Sequence, residues 1–107
     1  MNLPDFHFQK DVAVFVAEHQ LEAPVEARVL DLVSEVGEVA KEVLKGNAYG
    51  HQSFQPTDEW QDELADAFFA LICLANSTAI NLEIALAEAL DKYKQRLIRQ
   101  GEAGSGR

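Results

Sequence analysis

Cysteine occurs once in this chain, at Cys73 inside an apolar run, so no disulfide framework can form within it. The lone thiol reads as a small buried hydrophobe, and the composition suits a reducing compartment. Basic residues are also scarce. Nine Lys and Arg stand against eighteen Asp and Glu, a formal charge of −9, which removes the attraction on which non-specific nucleic-acid binding depends. Long hydrophobic runs are missing too. The longest, Ala67 to Ala75, falls far short of the roughly 20 residues needed to span a bilayer. Met1 to Asp5 lacks the basic and then apolar layout of a secretory signal. We therefore expect a soluble, cytoplasmic protein with neither nucleic acid nor membrane as partner. A glycine-rich phosphate loop, a nucleophilic serine setting, a Cys/His pair, an internal repeat and a strand pattern are absent as well.

What is there is helical periodicity. The 107 residues, 48% of them apolar, suffice for one domain with a small core, which we place at 1–100, followed by a small, polar and flexible tail at 101–107. Phe8, Val12, Phe15 and Val16 mark a first helix, with Asp5 as its N-cap and an end near His19 and Gln20. A connector holding Pro24 leads to a second helix from about Ala27 to Lys45. Its apolar face is Val29, Leu32, Val33, Val36, Ala40, Val43 and Leu44, and Gly46 reads as its C-cap. Residues 46–57 have loop composition. Thr57 or Asp58 reads as the cap of a third helix, and Asn81 as the cap of a fourth with a stripe at Leu82, Leu86, Leu90, Tyr93 and Leu97. The fold class is all-α, with four helices.

Two acidic signatures flank the loop, Glu35-Val36-Gly37-Glu38 and Glu63-Leu64-Ala65-Asp66. At i, i+3 on a helix, each pair shares one face with Cβ atoms about 5–6 Å apart, and like charges so placed repel. An acidic row is often only a solvated face, the reading we give Asp31, Glu42, Glu59 and Asp62. Glu35, Glu38, Glu63 and Asp66 read differently. One and two turns past Asp66 the same face becomes Phe69, Ala70 and Cys73, within a segment apolar all round, so Glu63 and Asp66 abut a packed interior. Such a helix is hard to bury within one small chain, and a second copy would supply the cover.

Bare carboxylates there would carry desolvation and repulsion that a divalent cation relieves. All-oxygen ligation favours Mg²⁺ or Mn²⁺ over zinc. A ferritin-like di-iron site needs Glu-x-x-His, and none of His7, His19 and His51 follows a Glu by three. Magnesium held by carboxylates takes further ligands from phosphates, so a phosphate ester or anhydride substrate is expected. Lys92, Arg96 and Arg99 share a face and suit either a phosphate chain or a helix C-terminus. Trp60, Tyr49 and Phe54 suit either a base or local packing, and His51 is either a loop contact or an ordinary exposed histidine.

Ser34-Glu35-Val36-Gly37-Glu38-Val39, then Asp62-Glu63-Leu64-Ala65-Asp66, a hydrophobic run and Lys92 to Arg96 resemble the MazG-like all-α nucleoside triphosphate pyrophosphohydrolases over residues 8 to 100. The resemblance implies a MazG-like four-helix bundle completed by homo-oligomerisation, as a dimer or a dimer of dimers. It implies Mg²⁺-dependent hydrolysis of a (d)NTP to the monophosphate and pyrophosphate in nucleotide-pool housecleaning, with Glu35, Glu38, Glu63 and Asp66 as metal ligands. Lys92 and Arg96 would then face the pyrophosphate, and Trp60 the base. Two positions depart from the family pattern: Ser34 stands where a first Glu is common, and Tyr93 where Asn often follows the Lys. The first leaves open a non-catalytic helical interaction module. Phosphoribosyl-ATP pyrophosphohydrolase activity is the alternative within the same superfamily.

Overall fold

The computed structural model describes residues 7–100, so the expected Asp5 cap and the 101–107 tail lie outside the described residues. Among those described there are four α-helices, one 3₁₀ turn and no strand: α1 Phe8–Glu18, α2 Val25–Gly46, the turn Ala48–Gly50, α3 Trp60–Ser77 and α4 Leu82–Gln100. The first helix follows His7, whose backbone N–H donates to Asp11 Oδ2 at 3.2 Å. The second begins at Val25, two residues earlier than expected. Pro24 directly precedes it in an extended conformation, and its carbonyl accepts from Arg28 N at 3.1 Å.

Two expected caps are placed differently. Gly46 is the last residue of α2, with Asn47 in the cap position. Its lack of a side chain serves packing instead, because a Cβ there would lie 2.5 Å from Phe54 Cε1 and 2.6 Å from the Gln55 carbonyl oxygen. The left-handed residues come just after it, at Ala48, Tyr49 and Gly50. At the start of α3 neither Thr57 nor Asp58 offers a side-chain cap, and Glu59 occupies the cap position. The Thr57 carbonyl accepts from Trp60 N at 3.2 Å while its hydroxyl turns towards α2. Asn81 does cap α4, its Oδ1 accepting from Ile84 N at 3.0 Å.

The second and third helices pack antiparallel as the principal pair, and α1 lies along α3. Phe8 meets Phe68 edge-on at 5.2 Å, and Phe15 meets Phe69 at 6.2 Å. The centre of the core is Ala70, Ile72, Cys73 and Ala75, all on α3, and burial pushes the Cys73 thiol pKa up. The apolar second half of α3 is nevertheless covered on only part of its circumference, because Phe68 and Leu71 stay exposed in the single chain. Gln9 fastens the elbow between α3 and α4. Its amide nitrogen donates to Asn76 Oδ1 and the Ile80 carbonyl, and its amide oxygen accepts from Leu82 N. From that elbow α4 leaves at 102° to α3, with Leu86, Leu90 and Leu97 of its stripe exposed. The four helices therefore do not close into a bundle within one chain.

Candidate functional site

The antiparallel pairing of α2 and α3 brings the two acidic signatures face to face. One carboxylate oxygen from each of Glu35, Glu63 and Asp66 lies within 4.8 Å of the other two. Glu35 and Glu63 are half-buried, while Asp66 and Glu38 are exposed. Glu38 stands outside this trio, yet close enough for its charge to act on both Glu35 and Glu63.

Electrostatics in the cluster run one way. Loss of hydration holds the Glu35 carboxyl above the usual carboxylate range, helped by the charges of Asp66, Asp31 and Glu38. The Glu63 carboxyl is raised in the same manner, by desolvation first and then by Asp66, Glu38, Glu42 and Glu35. No cationic side chain is among the charges acting on either group. A site of three converging oxygen donors, partly stripped of water and mutually repelling, has the chemistry of a hard divalent cation cradle. The donor set therefore fits Mg²⁺ or Mn²⁺.

Of the remaining residues singled out from the sequence, Trp60 lies one turn before Glu63 on α3, while Lys92 and Arg96 are not among the charges acting on Glu35 or Glu63. Lys92 and Arg96 sit on α4, where their cationic heads lie over the Tyr93 ring at 5.3 and 5.9 Å, and Arg96 Nη1 is buried without a hydrogen-bond partner. Among the described residues no ion pair joins either to the acidic cluster, and Lys45–Glu42 at 3.2 Å is a separate pair. Trp60, half-buried at the start of α3, packs edge-on against Phe54 at 5.1 Å. Tyr49 and His51 are exposed on the loop, Tyr49 with a left-handed φ of 56°.

Asp31, Glu59 and Asp62 are exposed, as a solvated face requires, but Glu42 is not. It is 3% exposed, accepts from the Thr57 hydroxyl at 2.6 Å and pairs with Lys45. These bonds, the Thr57 one foremost, hold its carboxyl below the usual range. A partial signal existed in the sequence, since Glu42 continues the Glu35–Glu38 sector one turn further, towards the loop.

Three comparisons bear on this arrangement. The family model described as the MazG nucleotide pyrophosphohydrolase domain matches residues 24–99, a span holding both acidic signatures and all but the last residue of α4. An uncharacterized protein of Bacillus subtilis (strain 168), YpjD, is 36% identical over a 73-residue alignment that covers 65% of this chain. The match covers 64% of that relative, so the chain spans less than two thirds of its length. The crystal structure of the Bacillus-conserved MazG protein, described as a nucleotide pyrophosphohydrolase, is similar with a TM-score of 0.70 and 29% identity, over 87% of this chain and 93% of that one. Because the family match embraces the whole α2–α3 pair that builds the acidic cluster, the chain belongs to the MazG nucleotide pyrophosphohydrolase domain family.

Proposed function

We propose that the protein is a Mg²⁺-dependent nucleoside triphosphate pyrophosphohydrolase, with Mn²⁺ as a substitute ion, that converts a (d)NTP and water to the (d)NMP and pyrophosphate. The observation that carries this reading is the convergence of Glu35, Glu63 and Asp66 oxygens within 4.8 Å across two helices. The similarity to a Bacillus protein described as a nucleotide pyrophosphohydrolase supports it. Glu35, Glu63 and Asp66 would hold the cation, with Glu38 completing the set from the solvent side. The cation would supply charge neutralisation at the phosphates and a more acidic water. Among this chain's own groups, one of the four carboxylates orients the attacking water towards the α-phosphorus. Trp60, steadied by Phe54, offers a face to the base. Lys92 and Arg96 meet the departing pyrophosphate. Because α4 projects from the α2–α3 pair, we assign that last contact to an assembled homodimer or dimer of dimers. Nucleotide-pool housecleaning in the cytoplasm is the role that fits such an activity.

Ser34, where the family pattern commonly has Glu, favours one second reading, a helical interaction module without catalysis. Pyrophosphate release from a panel of canonical and damaged (d)NTPs and phosphoribosyl-ATP, with and without Mg²⁺, separates the readings. We expect Mg²⁺-dependent release from at least one nucleotide, abolished in Glu38→Gln and Asp66→Asn while helical circular dichroism is retained. Release from none of the panel would favour the module, and full activity in both variants would remove the site assignment.

A further inference from the structure

Glu42 is the one buried charged residue among those described, and both its oxygens are taken by protein. Oε1 accepts from the Thr57 hydroxyl at 2.6 Å, and Oε2 faces Lys45 Nζ at 3.2 Å. It lies near enough to Glu63 to act on its charge, but it is not one of the three converging carboxylates. A glutamate adjoining a ligand cluster, with both oxygens occupied, is suited to holding the frame rather than an ion.

The frame it holds is the start of α3. The Thr57 carbonyl accepts from Trp60 N at 3.2 Å, and the Glu59 carbonyl accepts from Glu63 N at 3.0 Å. A bonded path thus runs from the Glu42 carboxylate on α2 through Thr57 to the first turn of α3, which carries Glu63. The same stretch is seated at a second point, where Gln55 N donates to the Gly46 carbonyl at 3.0 Å and Phe54 lies over Gly46. Phe54 in turn meets Trp60.

We propose that the Glu42–Thr57 hydrogen bond is a positioning device for the acidic site: it fixes the first turn of α3 in depth and register against α2, so that Glu63 arrives beside Glu35. Glu42 acts through Thr57 and does not itself ligate the ion. The inference rests on the cation-binding reading above, and its test separates the two. Mn²⁺ binding to the full chain is measured by electron paramagnetic resonance for wild type, Thr57→Val, Thr57→Ser and Glu42→Gln. In parallel, acrylamide quenching of the protein's single tryptophan, Trp60, reports on the seating of the α3 start.

Thr57→Val is expected to bind Mn²⁺ about tenfold more weakly, the order of one lost hydrogen bond to a charged group, and to leave Trp60 more open to quencher. Thr57→Ser restores both. Glu42→Gln gives up the oxygen that faces the half-exposed Lys45 but keeps one acceptor for the Thr57 hydroxyl, and stays within about threefold of wild type. Unchanged Mn²⁺ affinity in Thr57→Val would overturn the proposal, even if that variant melted at a lower temperature. So would a loss in Glu42→Gln as large as that in Thr57→Val, because it would make Glu42 a ligand. Should Thr57→Val fail to fold, Thr57→Ser and Glu42→Gln still decide, since a tenfold loss in either overturns it. If wild type binds no Mn²⁺ at all, the cation reading fails and the proposal falls with it, whatever the quenching shows.

Discussion

At the scale of single residues, the two glycines of α2 are in opposite surroundings. Gly37 lies in mid-helix with nothing within 4 Å of where a Cβ would stand, whereas a Cβ at Gly46 would collide with the Phe54 ring and the Gln55 backbone. Helix propensity favours Ala at both, by roughly 1 kcal/mol. Gly37→Ala should therefore raise the melting temperature by a few degrees. In Gly46→Ala the same gain is outweighed by overpacking, typically about 1–3 kcal/mol, because a backbone carbonyl cannot swing aside as a side chain can. A thermal melt of each variant checks this, and a neutral Gly46→Ala would remove Phe54 as the seat of the loop. The same contrast explains what the sequence revealed. That Glu63 and Asp66 share a face was legible because i, i+3 spacing fixes one, whereas the same spacing in Glu35 and Glu38 did not tell which of that pair would converge with them across the helices. The burial of Glu42 was not legible, because an acid on that face looks the same whether water or a threonine fifteen residues on lies above it.

At the scale of elements, the pattern located all four helices to within a few residues, α1, α2 and α4 by an apolar stripe of helical period and α3 by an amphipathic first half that runs on into an apolar segment. The ends were less legible where tertiary contacts decided them: Gly46 ends α2 for packing, and Thr57 is drawn away from α3 by Glu42. The α2–α3 pair has a pH dependence of its own. Glu35 and Glu63 have raised folded pKa values, so the folded state binds more protons than the unfolded one just above the ordinary glutamate value. Their charged forms weaken the fold at neutral pH, and acidification through the raised values relieves the cost. Glu42 has a lowered folded value. Its contribution is complete above the ordinary glutamate pKa of about 4.3 and is lost as pH falls through the lower value. In chelator-treated protein the melting temperature should thus rise as the pH is lowered through the raised Glu35 and Glu63 values, pass a maximum, and fall once the pH drops below the ordinary glutamate value of about 4.3 and Glu42 is protonated. Glu63→Gln should flatten the rising limb and leave the fall. A wild-type melting temperature that dropped steadily from pH 7 downward would contradict the desolvated, repelling cluster.

At the scale of the whole molecule, the described residues leave many large apolar side chains in water, on all four helices. The radius of gyration is 17.1 Å, against about 13 Å for a compact chain of this length, because α4 projects from the rest. Leu86 and Leu90 are 60% and 59% exposed, and Phe8, Val12, Phe15, Phe68 and Phe69 line a groove between α1 and α3. Contiguous apolar surface of this kind calls for a partner, and the proposed homo-oligomer would supply it by covering the α4 stripe. Leu86 and Leu90, one turn apart, are the place to test this, because neither belongs to the acidic cluster. Each buried leucine contributes about 1.5–3 kcal/mol, so Leu86→Glu with Leu90→Glu should raise the assembly's dissociation constant by at least about a hundredfold. Light scattering coupled to size exclusion should then read a multiple of 11.9 kDa for wild type and a lower mass for the double variant. If Lys92 and Arg96 meet pyrophosphate only in the assembly, turnover should fall with the mass while Mn²⁺ binding at the acidic trio persists. A variant that kept both mass and turnover would mean that the α4 stripe is not the interface.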